Sequence, residues 1–283
     1  MVDFPVIDTH VHLIDIDRIS YPWINELPSL NKSFGLEDFD EACGPVDVES
    51  IVFVQAGADN AQFIQEIEWV TSLAEEDSRV AGAVAWAPLS KGESVRSDLE
   101  QLAQFPLVRG IRQVIESESD LEFCIQPDFI RGVQTLALFD KSFDICINHL
   151  QLNNTIKMVE QCPEVRFVLD HIAKPDIKRQ LLDPWQDELK TLASLPNVTC
   201  KISGMATEAD HENWTRDDLV PYIDHVIECF GFDRVMYGGD WPVSTLATDY
   251  PRWTETLHWV VSGASHTEQQ QLFRDNAVRI YRL

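Results

Sequence analysis

Short apolar segments recur along this chain at intervals long enough to hold a helix. Most are apolar nearly throughout rather than alternating between apolar and polar residues, which is typical of strands covered on both faces in a parallel sheet. There are eight such segments, at residues 6–12, 50–56, 80–87, 108–114, 143–149, 166–171, 198–204 and 234–240. The pattern therefore predicts eight parallel strands.

The stretches between these segments carry helical spacing. In residues 61–76 and again in residues 219–230, apolar side chains fall three or four positions apart. Even the tightest gap, residues 150–165, can hold the helix of about ten residues that a parallel crossover requires. Strand and helix alternate without a linker, which predicts a single (β/α)8 barrel domain over residues 1–283. An open doubly wound sheet is the structural alternative, but no glycine-rich phosphate loop follows the first strand.

The connection after the first predicted strand, residues 14–38, is longer than the others. It carries Tyr21, Pro22 and Trp23, an aromatic content that a plain surface loop seldom has. Long loops at the carboxyl ends of barrel strands usually form part of the active-site roof. We therefore expect Trp23 to lie over the site.

Composition narrows the choice of partners and compartment. The 283 residues include 47 Asp and Glu against 22 Lys and Arg, a formal net charge of −25. Such a surface repels phosphate backbones and anionic lipids, so neither nucleic acid nor a membrane is an expected partner. The first residues lack a basic and apolar leader, no apolar run could span a bilayer, and the six cysteines show no C-x-x-C spacing. These features predict a cytoplasmic protein with core thiols.

Ionisable residues collect at the carboxyl ends of the predicted strands, where barrel enzymes keep their catalytic groups. The first strand ends in His10 and His12, the fifth in His149, the sixth in His171 and the eighth in Asp240. An H-x-H pair places both imidazoles on one face of a strand, which suits one metal ion but also fits two hydrogen-bonded core histidines. The additional groups at neighbouring strand ends favour a shared active site.

Asp240 follows two glycines and precedes Trp-Pro, a setting that would hold its carboxylate for use as a general base. The alternative is an Asx turn that caps the next helix. Asp170 precedes His171, and alternation turns it to the opposite side of the strand, which predicts a supporting role.

Four cations lie near strand ends, and each needs a partner because an unpaired buried cation is costly. Pairing with Asp170 or Asp240 and contact with substrate oxygens both remain open. The four are Arg109, Arg112, Lys174 and Lys201.

These motifs resemble those of the amidohydrolase superfamily, in particular its amidohydrolase-2 branch of sugar-lactone and pyrone-dicarboxylate lactonases. The resemblance covers essentially the whole chain and rests on His10-x-His12, residues 170–175 (DHIAKP), 201–204 (KISG), 238–242 (GGDWP) and the terminal Asn276-Ala277 with Tyr281. The chain departs from the branch at Gly239, which is usually serine there. It also departs at the fourth strand, where arginines replace the Lys or Glu that bridges two metals in binuclear relatives.

The resemblance implies a lactonase, a hydrolase of the carboxylic ester bond in a sugar lactone such as a fucono- or rhamnonolactone. It implies Asp240 as general base, with His10, His12 and His171 stabilising the oxyanion either directly or through a metal. At most one divalent ion, zinc first among the candidates, is expected on His10, His12, His171 and Asp240, and it is expected to be dispensable. Substrate contacts are expected from Trp23, Arg112, Gln113, His149 and Lys201. The alternatives are a zinc-dependent decarboxylase of the same superfamily and a catalytically silent barrel that acts as a binding module.

Overall fold

The computed structural model describes residues 2–283 and has the predicted barrel architecture. Its eight parallel strands pair in chain order from first to last. They are β1 Val6–Val11, β2 Val48–Val54, β3 Val80–Ala85, β4 Val108–Ile111, β5 Ser142–Ile145, β6 Arg166–Leu169, β7 Val198–Ile202 and β8 Val235–Tyr237. Beyond β8 the chain returns beside β1, where Asp240 N donates to the His10 carbonyl and His12 N donates to the Trp241 carbonyl, both at 2.8 Å. The prediction of a (β/α)8 barrel is confirmed.

Helices follow the strands and cover the outside of the barrel. They are α1 Leu36–Cys43, α2 Phe63–Glu76, α3 Arg96–Leu102, α4 Pro127–Thr135, α5 Leu152–Glu160, α6 Trp185–Ala193, α7 Arg216–Phe230, α8 Tyr250–Val260, α9 His266–Gln270 and α10 Asn276–Tyr281. Local sequence sets their ends: at α7, Asp218 Oδ2 accepts from Thr215 N at 2.8 Å, and Gly231 follows the last residue. Within residues 2–283, no helix is long and apolar enough to cross a membrane.

The predicted strands extend too far at their carboxyl ends. β4, β5 and β8 end three or four residues before the apolar pattern does. Beyond β4 and β5 the ladder is reduced to one isolated bridge between Val114 and Cys146, and after β6 and β8 the residues His171 and Asp240 adopt left-handed φ values of 54° and 55°. An extended strand cannot contain such residues, although their neighbours remain apolar and buried.

The interior of the barrel contains a buried ionic layer. The Lys201 side chain is fully buried, and its Nζ lies 2.7 Å from Asp144 Oδ2 and 3.1 Å from Asp170 Oδ1. Arg112 Nη1 lies 3.2 Å from the other oxygen of Asp170, and the Tyr281 hydroxyl of α10 donates to Asp144 at 2.5 Å. Two cations thus neutralise two carboxylates at a depth where an unpaired charge would be costly. Lys201 therefore pairs with acids, one of the two alternatives that the sequence left open.

We predict that Lys201→Met lowers the free energy of unfolding by about 3–5 kcal/mol, because two buried carboxylates lose their shared cation. Equilibrium unfolding in urea measures the change. The control is Lys91→Met, since the half-exposed Lys91 pairs with Asp98 at 3.1 Å on the outside of the barrel, and its loss should cost no more than about 1 kcal/mol. Equal losses of unfolding free energy in the two variants would show that the buried ionic layer stabilises the protein no more than the outer ion pair does.

Candidate active site

Three imidazoles converge on one carboxylate at the carboxyl end of the barrel. Asp240 Oδ1 lies 3.6 Å from His12 Nε2, 3.7 Å from His10 Nε2 and 3.8 Å from His171 Nε2. All four side chains are buried, and His12, His171 and Asp240 line a cavity of about 460 Å³. The structure therefore brings together the four residues that the sequence placed in one site.

Contacts behind the rings fix the orientation of the imidazoles. His12 Nδ1 lies 2.8 Å from the Val54 carbonyl, which can only accept, so Nδ1 carries the proton and Nε2 presents its lone pair to Asp240. His171 Nδ1 lies 2.9 Å from the Ser203 hydroxyl. Outer partners of this kind are the usual support of histidines that bind a metal.

His10 is held by the buried ionic layer. Its Nδ1 lies 3.4 Å from Asp170 Oδ1 and 3.4 Å from Lys201 Nζ, while its Nε2 lies 3.3 Å from Arg112 Nη1. Since the guanidinium of Arg112 can only donate, the lone pair belongs on Nε2 and the proton on Nδ1, which faces Asp170. Asp170 therefore has the supporting position expected for it.

Burial and charge set the protonation states at the site. Burial opposes ionisation of Asp240, but the three imidazoles outweigh it and hold the pKa of this carboxyl below its ordinary value. Burial lowers the pKa of His171 to about 4, and it also lowers the pKa of His10. At neutral pH Asp240 is thus ionised while His10 and His171 are neutral, the forms in which these groups bind a metal or accept a proton.

A left-handed turn carries His171 into the site. The four residues His171–Lys174 have φ values of 54°, 51°, 63° and 46°, a conformation that costs non-glycine residues roughly 1–2 kcal/mol each. The surroundings hold it in place: Trp185 Nε1 donates to the Ile172 carbonyl at 2.8 Å, and the Lys174 carbonyl lies 2.9 Å from His149 Nδ1. Backbone strain of this kind is typical of functional sites.

Two glycines allow the close packing around Asp240. At Gly204, which has φ 60°, a Cβ atom would lie 2.5 Å from His171 Nδ1 and 3.0 Å from Asp240 Oδ2. At Gly239 a Cβ atom would lie 2.5 Å from Tyr250 Cε2 and would also overlap the carboxylate of Asp8. Any side chain at either position would displace groups that fix Asp240. This close packing explains why position 239 is a glycine in this chain.

Asp8 is a site residue that sequence reasoning missed. Its carboxylate accepts from His10 N at 2.9 Å, from Gly239 N at 2.8 Å and from the Tyr250 hydroxyl at 2.8 Å. It therefore fixes the end of β1 against the residues that follow β8. Burial raises the pKa of Asp8 to about 7. The signal was present, because the alternation that links His10 with His12 includes Asp8 as well.

The cavity wall contains three of the five predicted substrate contacts. Trp23, Arg112 and Gln113 line it, and Trp23 Nε1 donates to the Ala56 carbonyl at 2.7 Å. The other two predictions need correction. Lys201 lies beneath the site with no exposed surface, because the buried acids retain it, and half-buried His149 is absent from the described lining, its Nδ1 being directed to the Lys174 carbonyl.

The donor set fits one divalent metal ion. His10, His12 and Asp240 offer ligand atoms that all lie within 4.8 Å of one another, as do His10, Asp170 and His171. The first group is the better one, because the oxygens of Asp170 already face Arg112 and Lys201. Nitrogen lone pairs facing a carboxylate with no proton between them call for a cation, and imidazole with carboxylate suits zinc.

A cluster of histidines and a carboxylate at the carboxyl end of a (β/α)8 barrel is typical of barrel enzymes, which keep their catalytic groups at this face, and it could hold a metal ion. More specifically, residues 7–283 match the model of the Amidohydro_2 family, described as amidohydrolase, and the chain belongs to that family. This confirms the predicted family and the prediction of a hydrolase.

Relatives of known name agree with this assignment. The L-fucono-1,5-lactonase of Burkholderia ambifaria is 29% identical over 98% of this chain and 95% of its own length. The enzyme of the same name from Burkholderia multivorans is 30% identical over 98% of this chain and 96% of its own length. A crystal structure of an amidohydrolase from Burkholderia multivorans with bound zinc superposes with a TM-score of 0.88 at 28% identity, covering 99% of this chain and 100% of the other.

We predict that the protein binds at most one zinc ion per chain and releases it to a chelator, because Arg112 Nη1 lies 3.3 Å from His10 Nε2 and can take its lone pair as the ion leaves. Elemental analysis before and after dialysis against EDTA checks this. His12→Ala should abolish zinc binding, whereas His211→Ala, which changes an exposed histidine, should leave it unchanged. Two equivalents that resist chelation would refute the prediction.

Proposed function

We propose that this protein hydrolyses a lactone, and specifically the neutral lactone of a sugar acid, by attack of water on the ring carbonyl. The observation that carries the proposal is an ionised Asp240 that lines a cavity together with two cations that already have acidic partners. Among the described lining residues these cations are Arg112, paired with Asp170, and Lys174, paired with Glu116. The two relatives named L-fucono-1,5-lactonase, which align over nearly the whole chain, support the same reaction class.

In this mechanism Asp240 accepts a proton from the attacking water and later delivers it to the alkoxide that ring opening releases. His12, His10 and His171 surround the carboxylate, and the backbone bond from Asp240 N to the His10 carbonyl holds the residue in position. A zinc ion bound by His10, His12 and Asp240 would act as a Lewis acid toward the carbonyl oxygen. Arg112 lines the cavity beside His10, so its guanidinium adds a positive potential near the developing oxyanion whether or not the ion is bound, even though both of its Nη groups are already paired. We therefore expect the ion to be dispensable.

The charges of the cavity favour a neutral substrate. Its described lining contains two cations, Arg112 and Lys174, against the carboxylates of Asp240, Glu116 and Glu118. Arg112 is engaged, since Nη1 faces Asp170 at 3.2 Å and Nη2 donates to the Gln55 carbonyl at 2.7 Å. Lys174 Nζ lies 2.5 Å from Glu116 Oε2.

A dicarboxylate would therefore find no unengaged cation among these lining residues. A polyhydroxylated ring would find polar side chains, such as the amide of Gln113, and the aromatic surfaces of Trp23 and Trp86. The same reasoning weighs against a decarboxylase, whose substrate is an acid. The convergence of Asp240 with three histidines weighs against a silent barrel.

We predict that Asp240→Asn lowers kcat by about 10²–10⁴-fold while the fold is kept, because the amide preserves the shape of the carboxyl but cannot accept the proton. Initial rates of sugar-lactone hydrolysis, followed with a pH indicator, measure the loss of kcat, and thermal unfolding monitors the fold. The matched control is Asp187→Asn, which changes an exposed carboxylate of α6 and should leave kcat unchanged. A variant that kept more than about a tenth of wild-type kcat would demote Asp240 to a structural role.

We also predict that kcat/KM for a six-carbon or 6-deoxy aldonolactone exceeds kcat/KM for a dicarboxylated pyrone or a muconolactone. The paired cations cannot compensate a dianion, and the formal net charge of −25 slows its approach. Both substrates are measured side by side at one ionic strength, with carbon dioxide release as a check for decarboxylation. A preference for the dianion would refute the neutral-substrate proposal.

A further inference from the structure

Lys174 and Glu116 form an ion pair in the wall of the cavity, apart from the group around Asp240. Lys174 Nζ lies 2.5 Å from Glu116 Oε2, and the two side chains are 21% and 30% exposed. Both residues line the same cavity as His171 and Asp240. In contrast to the buried Lys201, this pair can therefore reach a bound molecule.

The backbone holds both partners at a fixed position relative to the reacting groups. Lys174 ends the left-handed turn that begins with His171, and its own amide donates to the His171 carbonyl at 2.8 Å. Glu116 lies after β4, where its amide donates to the Cys146 carbonyl at 3.1 Å. Neither residue is on a free loop end, so the pair is a built part of the cavity.

Lys174 is charged at neutral pH. Burial alone would lower its pKa, but the facing carboxylate of Glu116 opposes burial and the pKa is raised above its ordinary value. The pair thus presents an ammonium, which only donates hydrogen bonds, beside a carboxylate, which only accepts them.

We propose that Lys174 and Glu116 together bind two adjacent ring hydroxyls of the substrate. A hydroxyl both donates and accepts, so one hydroxyl can accept from Lys174 while its neighbour donates to Glu116. Neighbouring gauche hydroxyl oxygens lie about as far apart as a hydrogen-bonded pair, roughly 2.8 Å, which resembles the 2.5 Å between Nζ and Oε2. The inference rests on the proposed function and narrows it to lactones that carry a vicinal diol.

The kinetic test uses a polyhydroxylated aldono-1,5-lactone and δ-valerolactone, which has the same ring without hydroxyls. Lys174→Met and Glu116→Gln should each lower kcat/KM for the hydroxylated lactone roughly 10- to 100-fold, mainly through KM. The double variant should lose less than the two single losses combined, since the residues act as one unit. Turnover of δ-valerolactone should fall far less than that of the hydroxylated lactone in these variants, and Lys91→Met, which breaks an outer Lys–Asp pair, should affect neither substrate.

A binding test separates this proposal from the lactonase proposal. A 1,5-anhydroalditol keeps the ring hydroxyls and lacks the carbonyl, so its affinity by titration calorimetry does not depend on hydrolysis. Binding that weakens in Lys174→Met and Glu116→Gln would support the pair even if no lactone were turned over. Unchanged binding in the variants, or no binding to the wild type, would overturn it whether or not lactones are hydrolysed. Equal kinetic losses on both lactones would also overturn it.

Discussion

The structure depends on the pairing of charge inside the barrel. Asp170 contacts Lys201, Arg112 and His10, while Asp144 contacts Lys201 and the Tyr281 hydroxyl. A charge at this depth is stable only with its partners in place, so these contacts fix side chains from several strands at once. Because His10 and Arg112 belong both to this layer and to the candidate site above it, the layer also positions the residues of that site.

The backbone at the carboxyl end of the barrel, above this ionic layer, is conformationally strained. The left-handed run from His171 to Lys174 and the left-handed Asp240 have no intrinsic preference for their conformations. Neighbouring residues stabilise these conformations, through the contacts of Trp185 and His149 with the turn and through close packing at Gly204. One strained turn thereby places a histidine beside Asp240 and a lysine in the cavity wall.

Arg112 affects both how tightly a metal ion is held and which substrate charge the cavity can accept. Its guanidinium lies beside the Nε2 lone pair of His10, which is also a ligand position for an ion. A cation of the protein and a metal ion therefore compete for one nitrogen, which favours a weakly held ion. Because Arg112 is also engaged by Asp170 and the Gln55 carbonyl, it has little capacity left for a substrate carboxylate.

The sequence alone predicted the eight-strand barrel and the convergence of His10, His12, His171 and Asp240, because alternation and strand ends are local properties. It did not decide which lysine reaches the cavity. Lys201 and Lys174 both lie near strand ends, and only their partners on distant strands show that the first is buried and the second lines the wall. The role of Asp8 likewise depends on a chain segment 231 residues away. Periodicity gives the face of a strand, whereas pairing between side chains is decided by packing in three dimensions.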